Sequence, residues 1–570
     1  MKFWTRIATD NYIKWSLLFL FALIIFTLNL SEPGLYSTQE GNAAIITRNM
    51  IDSGNYLSVY IKDAHNTEKP VLSYWLCVLS CMFLGISEIG LRLPSATAAI
   101  IAVLLTAYLG RKIYGEKTGF LAGFILASMI SFANLGRTAR IDIILCVFFT
   151  LSMFFLYKGY IERKKATWYL YLFYVVLALS VLVKGPVGVV LAAIIILLYA
   201  IKEKNWRILW EIKPLSGLLI GIFLAAPWYL YESIRTHGEF AFDFLWNQNV
   251  NRFLGINTAY CDGQRKTFIF YVPNLFFGAL PWSVFIPFAV YSLRKRFRQL
   301  GHSSYFLIFW VLAVFVFFSF SCIKRGDYIL PLYPALAILI AKYLTYLNNA
   351  GKFFSKYWIM VWMGIFTVFV LFFILLYSGI LRSLAVAALS DQVKFVGVGD
   401  AMNIIQLCDF IRPYFVVLSI FAALILAYIY ICGKQFEKGK VLRGFYMIIA
   451  AFLIFHSVFV MWIQPYTDRF KSVKDFCILA SKHVGKDEIV AYYRVWNLEA
   501  VFYLNRNYER AWRADDLMDF KTGKLKYKYY ICPKSDYEIE DSRIKNKVEV
   551  ICETIPGHHE NLVLCKEKSI

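Results

Sequence analysis

Residues 168–201 read WYLYLFYVVLALSVLVKGPVGVVLAAIIILLYAI, a run whose single charge, Lys184, stands in the middle. Each half approaches the ~20 apolar residues that cross bilayer hydrocarbon. Lys184-Gly185-Pro186 supplies the break between them, because glycine turns freely and proline cannot continue a helix. The stretch is therefore a pair of membrane spans joined by a tight turn. In lipid the backbone polar groups can only satisfy one another, so the spans are helices. Working outward, apolar runs of similar length recur at about 14–30, 95–110, 119–136, 141–157, 214–231, 269–291, 304–321, 328–347, 356–380, 413–432 and 444–464. With the first pair they predict an α-helical polytopic membrane protein of about 13 transmembrane helices.

The composition agrees. Of 570 residues, 59% are hydrophobic, 18% aromatic and 17% charged, and the mean hydropathy is +0.56. A soluble domain carries about 25% charged residues, so a soluble globule, a coiled coil and a disordered chain are excluded. The net charge of +22 resembles a nucleic-acid signal until it is divided. Residues 465–570 hold 19 basic and 17 acidic side chains and the remainder 41 and 21, so about +20 belongs to the membrane part. With the N-terminus inside, the basic hairpins at Arg111-Lys112, 158–165, 202–213, 294–298 and 434–443 all fall on the cytoplasmic side. The charge sets topology, and no nucleic-acid partner is expected. That orientation requires the short run 71–86 to lie at the interface or re-enter, since counting it as a span inverts most of the hairpins. The first apolar segment reads as retained, because no small-residue cleavage site follows Leu30.

Three outer loops are then long, 31–94, 232–267 and 381–412, whereas the cytoplasmic loops are short. Chemistry is expected on the outer face. The expected organisation is a membrane domain over 1–464 and an outer domain over 465–570. In the latter, short runs at 471–484, 488–493, 498–504, 527–532, 548–551 and 562–565 alternate in helical and strand-like character, which reads as one small α/β domain. Cys477, Cys532, Cys552 and Cys565 fall there, where an oxidising compartment permits disulfides, but no cysteine pair has the C-x₂-C spacing of a metal site. No internal repeat is visible, which weakens a transporter built from duplicated halves.

The acids of the outer loops are the candidates for chemistry. Ser37-Thr38-Gln39-Glu40 has the pattern of a capping box opening a helix. As a functional group, Glu40 joins Glu68 and Asp142 as carboxylates at the outer ends of membrane elements, where charge is costly and usually has a task. Around them stand outer cations that the positive-inside rule does not explain: Arg48, Lys69, Arg137, Arg140, Lys184, Arg252, Lys324 and Arg325. Snorkelling accounts for some interfacial lysines. A set of cations on this side calls for an anionic partner, most simply a lipid-linked phosphate whose tail lies in the bilayer. A carboxylate beside it could take a proton from an acceptor hydroxyl while the cations stabilise the departing phosphate. That is glycosyl transfer from a lipid phosphate. The triplet Arg325-Gly326-Asp327 is read as coincidental where adhesion is concerned.

The order of these motifs is itself informative. Glu68-Lys69-Pro70 before Tyr74-Trp75, Arg92-Leu93-Pro94-Ser95, Arg140-x-Asp142, Lys184-Gly185-Pro186, Pro227-Trp228-Tyr229, Asn251-Arg252-Phe253, Pro281-Trp282 and the run 330–336 around Tyr333-Pro334 follow one another along residues 10–350. The series resembles the bacterial membrane glycosyltransferases of the aminoarabinose transferase type, which group with the protein O-mannosyltransferases in the GT-C fold. The resemblance implies an outer-face active site in the inner membrane, a polyprenyl (undecaprenyl) phosphate sugar donor, and lipid A or a related glycolipid as acceptor. Carried over by position, Glu68 and Lys69 lie at the donor site, Lys184 and Arg252 bind the lipid phosphate, and Asp142 is the second-span acid. Arg140, Tyr74 and Tyr328 are grouped with the phosphate-binding set, and Glu40, Asp142 and Glu68 with the catalytic one.

Two departures bear on mechanism. Where the family has Asp-Glu, this chain has Gln39-Glu40, so the base is Glu40 or Asp142, or the acceptor needs none. Where the family has a histidine-containing stretch before Arg-Phe, this chain has Asn247-Gln248-Asn249, so a divalent metal of the family type loses its expected ligand and no cofactor is assigned. The alternatives are a protein O-mannosyltransferase, a transporter or flippase for a lipid-linked sugar, and a non-catalytic scaffold.

Overall fold

A computed structural model describes residues 11–349 and 438–568, with breaks at 63, 66–67, 163–166, 257–265, 296, 520–521, 541 and 556–557, and scattered positions between 382 and 435. The expected spans at 356–380 and 413–432 and the loop 381–412 fall almost entirely outside the described residues.

Six described helices are long and apolar enough to cross a bilayer: Glu88–Tyr114, Ile141–Ile161, Thr167–Lys184, His302–Phe320, Gly326–Asn349 and Val441–Asp468. Two bent helix pairs have the same length and apolar character when taken together, each a broken span or a re-entrant loop: Pro214–Leu224 with Ala226–Arg235 at 45° and Phe268–Gly278 with Trp282–Lys295 at 113°. The runs at 14–30 and 185–201 form helices of 17 residues, Asn11–Thr27 and Val187–Glu203, about 26 Å long. The run at 119–136 is broken into Glu116–Ala127 and Ile130–Leu135. At the break Ser128 donates its hydroxyl to the Phe124 carbonyl (2.5 Å) and accepts from Trp282 Nε1 (2.8 Å), a back-bond that bends helices. The ambiguous run 71–86 contains the helix Leu72–Leu84. Its 13 residues reach about 20 Å, short of the ~30 Å hydrocarbon. Tyr74, Cys77 and Cys81 are buried, and Met82 and Phe83 are exposed.

Contacts divide the chain into two compact units. The first comprises Met1–Ser31, Asn42–Asn349 and Phe452–Ser457. Small residues set a close helix approach in it: a Cβ on Gly119 would lie 2.3 Å from the Ala107 carbonyl oxygen, so only glycine lets Glu116–Ala127 settle against Glu88–Tyr114. Two arginines serve backbone carbonyls. Arg137 donates to Ile25 O (2.9 Å) and Leu28 O (2.5 Å) at the end of the first helix, and Arg92, 2% exposed, donates to Leu30 O (3.2 Å).

The second unit comprises Glu32–Gly41, Ala350–Ala451 and Val458–Ile570. Its centre is a five-stranded sheet of β1 Ile489–Tyr493, β2 Asn507–Ala511, β3 Tyr529–Pro533, β4 Val548–Glu553 and β5 Leu562–Glu567 in the order β2-β1-β3-β5-β4. β2, β1 and β3 run parallel, and β5 pairs antiparallel with β3 and β4. The parallel pair β1/β2 needs a crossover, and the helix Leu498–Leu504 lies in it, capped by Asn497 Oδ1 accepting from Ala500 N–H (2.7 Å). Cys477, Cys532, Cys552 and Cys565 are free, buried thiols.

The segment Glu32–Gly41 joins this unit through specific bonds. Gly34 N–H donates to Asp468 Oδ2 (2.5 Å), Leu35 N–H to the Tyr503 hydroxyl (2.7 Å), and the Ser472 hydroxyl to Leu35 O (3.0 Å). Gly41 backs onto Leu498 and Glu499, where an added Cβ would lie 2.9 Å from Leu498 Cβ.

Candidate active site

The Lys184-Gly185-Pro186 turn organises the polar end of the membrane unit. Gly185 takes φ +88°, a conformation that favours glycine, and its N–H bonds Val181 O at 2.8 Å. Lys184 is thereby the last residue of its helix. Its ammonium pairs with Asp142 Oδ1 and lies 4.4 Å from the centroid of the Tyr328 ring. Asp142 occupies the first turn of Ile141–Leu156, where the helix dipole favours a carboxylate. Beside this pair, Arg140 Nη1 and Arg325 Nη2 both approach Asp327 Oδ2, at 3.3 and 3.2 Å.

Lys184 and Tyr328 also line a cavity of about 360 Å³. Glu68, Lys69, Gln248 and Arg252 complete its polar part, and Val187, Val190, Phe244, Phe253, Phe317 and Phe318 its apolar wall. Lys69 is half-buried and donates to Glu68 O (2.9 Å). Burial first, and then the positive charges of Arg252 and Lys184, push its ammonium down to about 8, against the opposing pull of Glu68 and Asp142. Arg252 donates from Nη1 to Gln248 Oε1 (3.0 Å), while its Nε is buried without a hydrogen-bond partner among the described residues. A buried guanidinium N–H left open is costly unless an acceptor arrives. Phe244 and Pro186 also border a second, largely apolar groove of about 590 Å³, together with Tyr174, Val181, Gly217 and Tyr229.

The structure thus brings together Glu68, Lys69, Lys184, Arg252 and Tyr328 around one cavity, with Asp142 and Arg140 behind Lys184. Tyr74 is buried on its own helix and is not among the lining residues. Glu40 belongs to the other unit, where it is fully buried. Ser37 Oγ accepts from its N–H at 3.4 Å, the N-cap half of the expected box. Near it, burial first, and then the charges of Glu560 and Glu40, push Glu499 up to about 7, although its own N–H opposes this. The eight outer cations separate by role. Arg137 and Lys324 bond backbone carbonyls, at Ile25, Leu28 and Ser321. Asp327 was missed as a site residue, since in the sequence it is only the one acid of a basic turn.

The residues before Arg252 do not suit a metal. Asn247 Nδ2 donates to Asp243 Oδ1 (2.9 Å), Asn251 Nδ2 to Asn247 Oδ1 (2.7 Å) and Asn249 Nδ2 to Phe244 O (2.6 Å). Neutral amides already bonded to one another replace the imidazole that a divalent transition metal prefers, so no step is assigned to a metal.

Bilayer-length helices, an amphipathic cavity lined by three cations and a small α/β domain define a polytopic membrane protein of the GT-C glycosyltransferase fold. The crystal structure of ArnT from Cupriavidus metallidurans bound to undecaprenyl phosphate superposes with a TM-score of 0.78 over 97% of each chain, at 18% identity. Residues 68–231 match the family model described as dolichyl-phosphate-mannose-protein mannosyltransferase. An uncharacterised protein of Aquifex aeolicus is 30% identical over 58% of this chain and 64% of its own. The undecaprenyl phosphate-alpha-4-amino-4-deoxy-L-arabinose arabinosyl transferase of Aeromonas salmonicida is 28% identical over 60% and 61%. The matched region thus spans less than two thirds of these relatives' length. The resemblance carried by the motifs recurs both among sequence relatives and in the fold.

Proposed function

We propose that the protein is an inverting membrane glycosyltransferase that moves a sugar from polyprenyl phosphate to a glycolipid, lipid A or a relative of it, at the outer face of the inner membrane. Residues 1–464 form the membrane domain and 465–570 an outer domain on the periplasmic side. The observation that carries this reading is that Lys184 and Arg252, the latter with an open buried Nε–H, line one cavity with Lys69 and within its electrostatic reach, together with aromatic and aliphatic side chains. A phosphate accepts from the cations and an isoprenoid covers the apolar wall.

In the reaction the bond from the sugar C1 to the phosphate oxygen breaks, and a bond from C1 to the acceptor oxygen forms on the opposite face. The electron pair leaves with the polyprenyl phosphate, whose added charge Lys69, Lys184 and Arg252 stabilise. A hydroxyl acceptor must also lose a proton, for which Glu68 and Asp142, in the same unit as the cavity, are the candidate bases. Asp142 is engaged by Lys184, which leaves it better suited to holding that lysine than to receiving a proton. A phosphate monoester acceptor, with a second pKa of about 6, is already largely ionised at neutral pH. Such an acceptor needs little base catalysis, which reconciles the reaction with Gln39 where the family has Asp.

The test is transfer by the purified full chain from undecaprenyl-phosphate-linked sugars to lipid A. Arg252→Ala and Lys69→Ala are each expected to lower kcat/KM by about 10²-fold, as removal of one charge-stabilising donor does. Transfer unchanged in both variants rejects the site. The match to a protein mannosyltransferase model favours protein as the second acceptor class, and label appearing on protein rather than lipid would establish it.

A further inference from the structure

The turn Arg325-Gly326-Asp327 stands next to the cavity without lining it. Asp327 is 8% exposed. It receives Arg140 and Arg325 on the single oxygen Oδ2, while Oδ1 is buried with no hydrogen-bond partner among the described residues. A carboxylate serving only as a staple would be expected to use both oxygens, as a bidentate arginine pair does.

The neighbours explain why it is held this way. Arg140 and Arg325 both lie within electrostatic reach of Asp142, the partner of Lys184. Three half-buried cations and two buried carboxylates therefore share one place, and the way they pair decides where the Lys184 ammonium rests. In the observed pairing Asp327 takes both guanidiniums, Asp142 takes Lys184, and the lysine lies over Tyr328 on the cavity wall. If Asp327 were neutral, the two arginines would lose their acceptor and compete for Asp142, and Lys184 would lose its tether.

We propose that Asp327 is a positioning residue for donor binding: by engaging Arg140 and Arg325 it reserves Asp142 for Lys184 and so fixes the Lys184 ammonium where it meets the lipid phosphate. This rests on the reading that the cavity takes a polyprenyl phosphate. It assigns an acid outside the cavity to the strength of phosphate binding and gives it no part in bond making.

The experiment compares steady-state transfer by the full chain in detergent, with undecaprenyl-phosphate-linked sugar varied. Asp327→Asn is expected to raise the donor KM about tenfold, because the displaced Lys184 no longer meets the phosphate, with a smaller fall in kcat from lost stabilisation of the leaving phosphate. Asp327→Glu should recover most of the affinity. Arg325→Gln combined with Asp327→Asn should recover part of it by removing one competing cation, which a general loss of folding would not allow. In a Lys184→Met background Asp327→Asn should add nothing further. A fall in kcat at unchanged KM, an effect that adds in full to that of Lys184→Met, or no recovery with Arg325→Gln overturns the proposal. Should Asp327→Asn not fold, Arg325→Gln alone decides: a donor KM within about twofold of wild type agrees, because the remaining arginine keeps its acceptor, and a rise like that of Lys184→Met refutes. Lys184→Met with unchanged donor KM would instead reject the phosphate site itself.

Discussion

Glu499 offers a measurement on the second unit that does not depend on the reaction. It is 7% exposed, in the first turn of Leu498–Leu504, next to the segment that carries Glu40. Burial, with Glu560 and Glu40 nearby, moves its carboxyl from the ordinary 4.5 to about 7. The folded domain thus holds the proton more tightly than the unfolded chain does. Below pH 4.5 both states are protonated and the group has no effect. Between 4.5 and 7 the unfolded chain ionises while the folded one stays neutral, so stability falls as pH rises, and above 7 the loss is complete. It amounts to about 3 kcal/mol at 1.36 kcal/mol per pH unit. Glu499→Gln keeps the shape and removes the charge. Amide hydrogen exchange of Leu498–Leu504 in the full chain, corrected for intrinsic rates, should therefore show wild-type protection declining between pH 5 and 7 and levelling above it. The Gln variant should hold its protection over the same range. Parallel profiles for the two proteins would refute the assignment.

Two further outcomes concern the cavity. Lys69, held near 8 by burial, should lose its charge as pH rises through 8, so the donor KM should climb from about pH 8 to 9 in wild type, whereas Lys69→Arg should stay flat over that interval because arginine remains charged. Gly185→Ala puts a Cβ 2.7 Å from Phe244 Cζ at φ +88°. It should cost at least the ~1–2 kcal/mol of a left-handed non-glycine residue, read as a lower melting temperature together with a higher donor KM, because the same turn carries Lys184.

What was legible in the sequence follows from how local each signal is. The spans could be read because hydropathy is summed over some twenty residues, and residues 168–201 gave both helices and the turn that the structure contains. Most of the five-stranded sheet was visible from runs such as 488–493 and 562–565, whose strands are buried. β2 Asn507–Ala511 was not anticipated. It is an edge strand bearing Glu509 and Arg510, mostly exposed or half-buried, and has little apolar pattern to read. Lys69, Lys184 and Arg252 stood out because topology did not account for them. Arg137 stood out on the same ground and in fact serves backbone carbonyls at the end of a helix, since a charge alone does not say whether its partner is a ligand or the protein's own backbone. The break at Ser128 and the pairing of Asp327 with Arg140 depend on residues more than 150 positions apart, and no local pattern announces them.

The charges of the membrane unit also say what this site should favour. Around the cavity and its flank stand Lys69, Lys184, Arg252, Arg140 and Arg325 against Glu68, Asp142 and Asp327, a surplus of two positive charges. A sugar-bearing polyprenyl phosphate is a diester with one negative charge, whereas the polyprenyl phosphate that departs is a monoester with about −1.5 to −2. On the reading proposed, a surplus of two therefore matches the leaving phosphate better than the donor. That is the direction in which an enzyme must bind to accelerate the step, since only interactions that strengthen toward the transition state lower its barrier. The three carboxylates are needed for the same reason. With five unopposed cations the donor would already be held as a strong ground-state anion, and the buried positive charges would repel one another. Pairing Asp142 with Lys184 and Asp327 with two arginines keeps the cations in place, and leaves enough excess charge for bond cleavage to strengthen the hold on the phosphate.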